Sequence, residues 1–173
     1  MVNVIAAMDP SGLIGLDRAI PWDYPAYSER FKATTVGNAI IVGRHAYEAL
    51  GLRGERTIVL TRRLDNGCRL TRQGLSYVGT FQDAYSIASI HYPPQRIWVV
   101  GGGHAFAAAL RRRINRVDIT IVPTVVDPAG RPTHFPVGDL EQHYRLISED
   151  PDPHDPRLTH RLYQCRNRSQ PSR

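Results

Sequence analysis

The strongest chemical signal in the chain is Ile97-Trp98-Val99-Val100, an apolar run that ends in Gly101-Gly102-Gly103 and leads into an alanine-rich helical stretch. Glycines at the carboxyl end of a strand let a phosphate approach the backbone, and the following helix offers unpaired N–H groups and the positive end of its dipole. On its own the triplet is equally well a tight strand-to-helix turn. Two other strand ends carry similar groups. Gly43-Arg44-His45 opens a helix with two basic side chains, and Leu60-Thr61-Arg62-Arg63 adds a hydroxyl and two guanidinium groups. If the strands run parallel, these ends share one rim, which is where an open α/β sheet holds its ligand. Arginine forks match phosphate geometry, and an extra phosphate beside Arg44, Thr61 and Arg62 would favour NADP over NAD.

The elements that must position these groups alternate along the chain. Val2–Met8, Ala39–Val42, Thr57–Leu60, Leu75–Val78 and Arg96–Val100 read as strands. Pro25–Thr35, His45–Leu50, Gln82–Ser89 and Ala105–Arg112 read as helices, the first with proline in its first turn. Continuously apolar strands separated by helices indicate a parallel sheet covered on both faces. Asp9–Tyr24 reads as a long loop. Past residue 115 strands alone are expected, at Val117–Pro123, His143–Ser148 and Leu158–Arg166, the last two forming an antiparallel hairpin around the turn-rich Glu149–Pro156. The expected fold class is α/β, with a mostly parallel central sheet, helices on both faces and an antiparallel C-terminal hairpin. One domain is expected over residues 1–168, with a frayed tail at 169–173.

Composition bounds the alternatives. A chain of 173 residues with 42% hydrophobic and 22% charged residues is that of a globular protein. No apolar run approaches the roughly 18 residues that span a bilayer, and the N-terminus lacks the basic start of a signal peptide, so a cytoplasmic location is expected. The two cysteines, Cys68 and Cys165, make neither a disulfide scaffold nor a zinc site, and no metal is expected. The net charge of +6 fits an anionic partner. No nucleic-acid motif accompanies it. Only Lys32 of the 22 basic residues is a lysine, a bias that weakens the charge as evidence. Arg111-Arg112-Arg113 is expected to complement the negative end of the preceding helix.

Taken together, Ile5-Ala6-Ala7, Gly12-Leu13-Ile14-Gly15, Ala19-Ile20-Pro21-Trp22, Pro25-Ala26, Phe31-Lys32, Gly43-Arg44-His45, Tyr47-Glu48, Gly101-Gly102-Gly103 and Thr133-His134-Phe135-Pro136 resemble the dihydrofolate reductase superfamily, in its order and nearly its spacing. The resemblance implies a dihydrofolate-reductase-like fold in which NADPH delivers a hydride to a small-molecule dihydropterin. By that resemblance Ala7, Ile14 and Gly15 border the nicotinamide, and Ala19 to Trp22 belong to a loop that closes over it. Arg44, His45, Thr61 and Arg62 hold the adenosine phosphates, with Gly101, Gly102, Gly103 and Ala105 beside the pyrophosphate. Ile5, Phe31 and Val100 wall the pterin, and Thr120 supports its amino group.

The chain departs from the family at the substrate's polar anchors. Where the family has an acidic side chain after Pro-Ala, this chain has Tyr27, a neutral phenol with an ordinary pKa of about 10 that can donate a hydrogen bond but carries no charge near neutrality. Glu29 lies roughly 200° further round the helix. Asp23 is the nearby carboxylate that can reach inward, with helix capping as its alternative use. Trp22, Tyr27 and Asp23 are therefore the candidate catalytic residues. In the stretch Leu52-Arg53-Gly54-Glu55-Arg56-Thr57, Glu55 stands where the family places an arginine for the folate α-carboxylate, and Arg56 compensates only if the loop shifts by one residue. Phe106 and Ala46 replace a family tyrosine and threonine. These changes point to a pterin tail without a carboxylate. The expectation is a dihydromethanopterin reductase of the dihydrofolate-reductase-like type, acting in one-carbon metabolism. The alternatives are a divergent dihydrofolate reductase and a non-catalytic NADP-binding protein.

Overall fold

Strand β1 (Asn3–Met8) is buried along its whole length because the sheet extends on both sides of it. Its alternate side chains therefore enter two different cores. Val4, Ala6 and Met8 join one cluster, and Ile5 joins Phe31, Val42 and Val100 in another. The computed structural model describes residues 2–52, 56–64, 68–70 and 75–166. The tail expected at 169–173 lies outside them, as does Glu55.

After β1 come β2 (Leu13–Leu16), α1 (Pro25–Thr35), β3 (Ala39–Gly43), α2 (Arg44–Ala49), β4 (Thr57–Leu60), β5 (Cys68–Leu70) and β6 (Ser76–Val78). The chain continues through α3 (Phe81–His91), β7 (Ile97–Gly101), α4 (Gly103–Arg111), β8 (Arg116–Ile121), β9 (Pro132–His134), α5 (Val137–His143), β10 (Tyr144–Pro151) and β11 (Thr159–Cys165). Among the described residues a nine-stranded sheet runs β10-β11-β8-β1-β7-β3-β4-β6-β5. The pairings from β8 through β6 are parallel. Those of β8 with β11, β11 with β10 and β6 with β5 are antiparallel. The expected α/β class is thus the observed one, with a second antiparallel edge at β5.

The two faces are covered differently. On one, α1 and α2 pack over Ile5, Val42, Val59 and Val100 through Phe31, Ala46 and Tyr47. On the other, α3, α4 and α5 bury Ala84, Ala88, Ala109, Leu110 and Leu140 against Val4, Ile41, Val99 and Ile119. A fully buried Ile or Leu side chain contributes about 1.5 to 3 kcal/mol relative to exposure, so these alternating positions carry most of the fold's stability. The arginine run ties this second layer together. Arg111 pairs with Asp139 of α5 at 3.1 Å, and Arg112 hydrogen-bonds Gln82 and lies 5.6 Å from the Phe81 ring centre.

Two expectations are corrected. The region past residue 115 holds a helix, α5, which sequence periodicity misses because Leu140 is its one buried residue. The loop after β1 contains β2, paired with β9 in a separate two-stranded sheet; each is short and neither has an apolar alternation of its own. Between β2 and the next turn, Asp17 and Arg18 have φ of 49° and 69° and form a two-residue hairpin closed by reciprocal Leu16–Ala19 hydrogen bonds at 2.9 and 2.8 Å. Cys68 and Cys165 lie toward opposite ends of the sheet and are not bridged. Among the described residues no helix is long and apolar enough to cross a membrane.

Candidate active site

Strands β7, β3 and β4 are neighbours in the sheet and parallel. Their carboxyl ends, Gly101, Gly43 and Leu60, therefore stand side by side on one rim, and the residues that follow them face a common cavity of about 1130 Å³. Every position expected to hold a dinucleotide lines it: Ala7, Ile14, Gly15, Arg44, His45, Thr61, Arg62, Gly101, Gly102, Gly103 and Ala105. The same cavity is lined by Arg63, from the third strand-end motif, by Arg111, read only as a complement to the helix end, and by Arg18, which no motif singled out.

Local geometry explains the glycines. Gly101 has φ of 147°, and a Cβ there would lie 3.0 Å from the Cβ of Ala46. A Cβ on Gly43 would lie 3.3 Å from the Gly102 nitrogen. Helix α4 starts at Gly103 with no side chain capping it, so its first N–H groups remain available to an anion. At the start of α2, Arg44 Nη2 donates to His45 Nε2 at 2.8 Å, and Arg44 also reaches Glu48 at 3.4 Å. Burial, then the charges of Arg44 and Arg18, hold the His45 pKa below its ordinary value of 6.5.

The loop from Asp9 to Trp22 is anchored at its root. Asp9 is fully buried and accepts from the Ser11 nitrogen at 2.8 Å, the Ser11 hydroxyl at 2.6 Å, the Leu13 nitrogen at 2.9 Å and the Val126 nitrogen at 3.3 Å. Burial raises its pKa, but the hydrogen bonds outweigh burial and the net displacement is downward. This anchor sets the path of Ile14 and Gly15 along the cavity wall.

At the other end of the cavity stand Trp22, Tyr27 and Val100. The Trp22 indole Nε1 is buried without a partner among the described residues. Tyr27 packs on Phe31, with ring centres 6.1 Å apart. Burial first, and then the Asp118 carboxylate, raise the pKa of its phenol, which keeps it a neutral donor. Ile5 and Phe31, expected to wall the pterin, sit behind that wall because they pack on each other and on Val100. Thr120 is also behind it, 1% exposed, with its hydroxyl 3.0 Å from His160 Nδ1.

Asp23 does not reach inward and does not cap α1. Trp22 and Tyr24 both pack on the Ala7, Val122 and Leu158 cluster, so the residue between them turns out to solvent. The N-cap of α1 is Tyr24, with no side-chain cap bond. No Asp or Glu among the described residues lines the cavity. Arg56 does not take over an anchoring role at Glu55 either; its guanidinium lies 5.7 Å from the Tyr92 ring centre, next to the amino-terminal end of β4.

Sequence reasoning missed Arg30, Asp118, Asp152 and His160. Arg30 Nη2 donates to both Asp118 oxygens, at 2.9 and 2.8 Å, and Arg116 adds a contact at 3.3 Å. Asp152 accepts from His160 Nε2 at 2.6 Å. The one signal available was alternation: Arg116, Asp118 and Thr120 lie on the same face of a strand whose other face is apolar.

Comparison with known proteins agrees with this geometry. A family model described as dihydrofolate reductase matches residues 1–167. The chain is 31% identical over 152 residues to the dihydrofolate reductase of Bacillus subtilis (strain 168), covering 87% of this chain and 83% of that protein. It is 33% identical over 128 residues to the dihydrofolate reductase of Mycobacterium tuberculosis (strain ATCC 25618 / H37Rv), covering 69% and 73%. It is 30% identical over 138 residues to the dihydrofolate reductase type 3 of Salmonella typhimurium, covering 79% and 78%. The chain therefore belongs to the dihydrofolate reductase family, and with it to the NADPH-dependent oxidoreductases that act on the CH–NH group of a dihydropterin.

Proposed function

We propose that the chain reduces dihydrofolate to tetrahydrofolate with NADPH. One observation carries the reading: a single cavity joins a phosphate-suited, arginine-rich rim to an aromatic end closed by Trp22 and Tyr27. The names of its relatives support the same substrate.

The residues fit NADPH on the geometry of the rim, since the missing side chain at Gly101 leaves backbone open where a Cβ would press on Ala46. Arg44, Thr61 and Arg62 would hold the 2′-phosphate, with His45 beside it, and Gly101 to Gly103 with Ala105 the pyrophosphate. Ala7, Ile14 and Gly15 would wall the nicotinamide. When bound, NADPH supplies the hydride that saturates the pterin's C=N bond. Trp22 excludes water above the ring and offers its unpaired indole N–H. The neutral phenol of Tyr27 donates a hydrogen bond to the pterin edge, and Val100, backed by Ile5 and Phe31, forms the apolar floor. With no carboxylate on the cavity wall among the described residues, water is the proton source for N5, and Asp23 is left without a role in the chemistry.

A second reading, dihydromethanopterin as substrate, is favoured by Tyr27, which takes the place of the family's acid. Steady-state assays with NADPH and each substrate in turn separate the two. The dihydrofolate reading expects the larger kcat/KM with dihydrofolate; a kcat/KM tenfold larger with dihydromethanopterin would transfer the assignment to it.

A further inference from the structure

The hairpin that follows β2 breaks a local rule. Both of its tip residues have positive φ, 49° at Asp17 and 69° at Arg18, the pattern that ordinarily recruits Asn-Gly or Asp-Gly. Asp17 fits: its Oδ1 accepts from the Arg131 nitrogen at 3.0 Å, and its own nitrogen donates to the Arg131 carbonyl at 3.2 Å. Arg18 stands where glycine is favoured, and a residue with a side chain is strained in that region. No contact offsets the strain, since among the described residues the Arg18 guanidinium makes no hydrogen bond or ion pair. Instead Arg18 lines the main cavity.

Topology sets which part of the cavity Arg18 reaches. The loop leaves β1, and the sheet continues β1-β7-β3-β4, so the carboxyl end of β7 is the first it meets. It packs there: a Cβ on Gly103, the first residue of α4, would lie 3.1 Å from the His134 carbonyl oxygen and 3.3 Å from Thr133 Cγ2, and both residues belong to β9, the partner of β2. From that base the tip runs on toward α2. Burial, then the charge of Arg44, then that of Arg18 lower the His45 pKa, an effect that needs Arg18 near the start of α2. Arg18 thus stands between the starts of α4 and α2, with Thr61 and Arg62 one strand further on, past the end of β4.

That interval is where a dinucleotide's pyrophosphate would lie, a group with two full negative charges. Gly101, Gly102, Gly103 and Ala105 offer it backbone N–H groups and the positive end of the α4 dipole, but no charged side chain. We propose that Arg18 is a further cofactor-binding residue, whose guanidinium, carried on the loop hairpin, binds the pyrophosphate and supplies the full positive charge that those backbone groups lack. This rests on the NADPH reading of the rim given above. It also separates Arg18 from Arg44, Thr61 and Arg62. Pyrophosphate is common to NADPH and NADH, so Arg18 contributes to binding both and to choosing neither.

Fluorescence titration with NADPH and NADH, and displacement of NADPH by adenosine 2′-monophosphate, test this without turnover. In Arg18→Gly both dinucleotides should bind about tenfold more weakly, by the same factor, the order of one charge-assisted contact. Adenosine 2′-monophosphate, which has no pyrophosphate, should bind as it does to wild type. Because glycine relieves the turn, the same variant should unfold at an equal or higher urea midpoint. Arg18→Gln keeps the strained turn and loses the charge, so it should match Arg18→Gly in affinity. Arg18→Lys keeps the charge and should stay within about threefold of wild type. Dinucleotide affinities unchanged in Arg18→Gly and Arg18→Gln overturn the proposal. So does a loss shared by NADPH and adenosine 2′-monophosphate but not by NADH, which would move Arg18 to the 2′-phosphate. A lower urea midpoint in Arg18→Gly with full affinity in Arg18→Gln would show a role in the turn alone and also overturn it. If the wild type binds neither dinucleotide, the NADPH reading fails and this proposal with it; tight wild-type binding with unchanged variants overturns this proposal alone.

Discussion

Arg30 sets a single guanidinium nitrogen against both oxygens of Asp118, one turn along α1 from Tyr27. Asp118 is 4% exposed, so its charge is held by that contact and by Arg116. The pair engages the buried carboxylate that acts on Tyr27, and Asp118 does not line the main cavity. Arg30→Met should cost about 1 to 3 kcal/mol, the penalty for a poorly satisfied buried acceptor, with Arg116 keeping the loss below that of an isolated charge. Urea unfolding at constant m measures it, and Asp118→Asn should recover part of the loss in the double variant. A loss that persists unchanged in that double variant would show the pair to be unimportant.

On the proposed reading, Arg44, Thr61 and Arg62 hold the extra phosphate of NADPH, with His45 beside it at the start of α2. Arg44→Ala should weaken NADPH by about tenfold to a hundredfold, the value of a charge-assisted contact of roughly 1.5 to 3 kcal/mol, and leave NADH nearly unaffected. Burial, then the charges of Arg44 and Arg18, lower the pKa of free His45; a bound phosphate acts in the opposite sense, and by linkage acidification strengthens the phosphate contact. The ratio of NADPH affinities between wild type and His45→Gln should grow as pH falls below 6.5; the comparison removes the phosphate's own titration. Fluorescence titration from pH 8 to 5.5 reads it, and a constant ratio would exclude His45 from the site.

Stability in acid should depend on Asp9. Its folded-state pKa lies below the ordinary 3.8, so its contribution is fully present above that value and is lost as pH falls through the folded-state value. Asp9→Ala leaves the Ser11, Leu13 and Val126 nitrogens without their acceptor and should cost about 2 to 3 kcal/mol near neutrality. The unfolding curves of wild type and variant should converge on acidification. Parallel curves down to pH 2 would mean that the carboxylate contributes nothing as a charge.

The strands and helices that position the rim were legible because each satisfies a local rule. Helix α1 begins at Pro25 and ends at Thr35 as read, and β3, β4 and β7 are apolar runs bounded by glycine or by hydroxyl and arginine. The pairing of β2 with β9 was not legible, since it joins segments more than a hundred residues apart that have no strand pattern of their own. The cavity's cationic rim followed from the order of parallel strands, whereas its substrate end did not. Asp23 was read as the available acid by proximity in sequence, yet Trp22 and Tyr24 claim the inward positions on either side of it. His160 and Asp152 lie in the hairpin region read only as strand and turn, and nothing local to them announces a contact with Thr120 forty residues away.

The central claim is a hydride transferred to dihydrofolate within this cavity. Turnover of dihydrofolate with NADPH deuterated at the transferring position of the nicotinamide, followed by mass spectrometry of the product, tests it most directly. The expected product is tetrahydrofolate carrying one deuterium, formed in step with NADPH oxidation. NADPH oxidised without labelled tetrahydrofolate, or no oxidation in the presence of dihydrofolate, would contradict it.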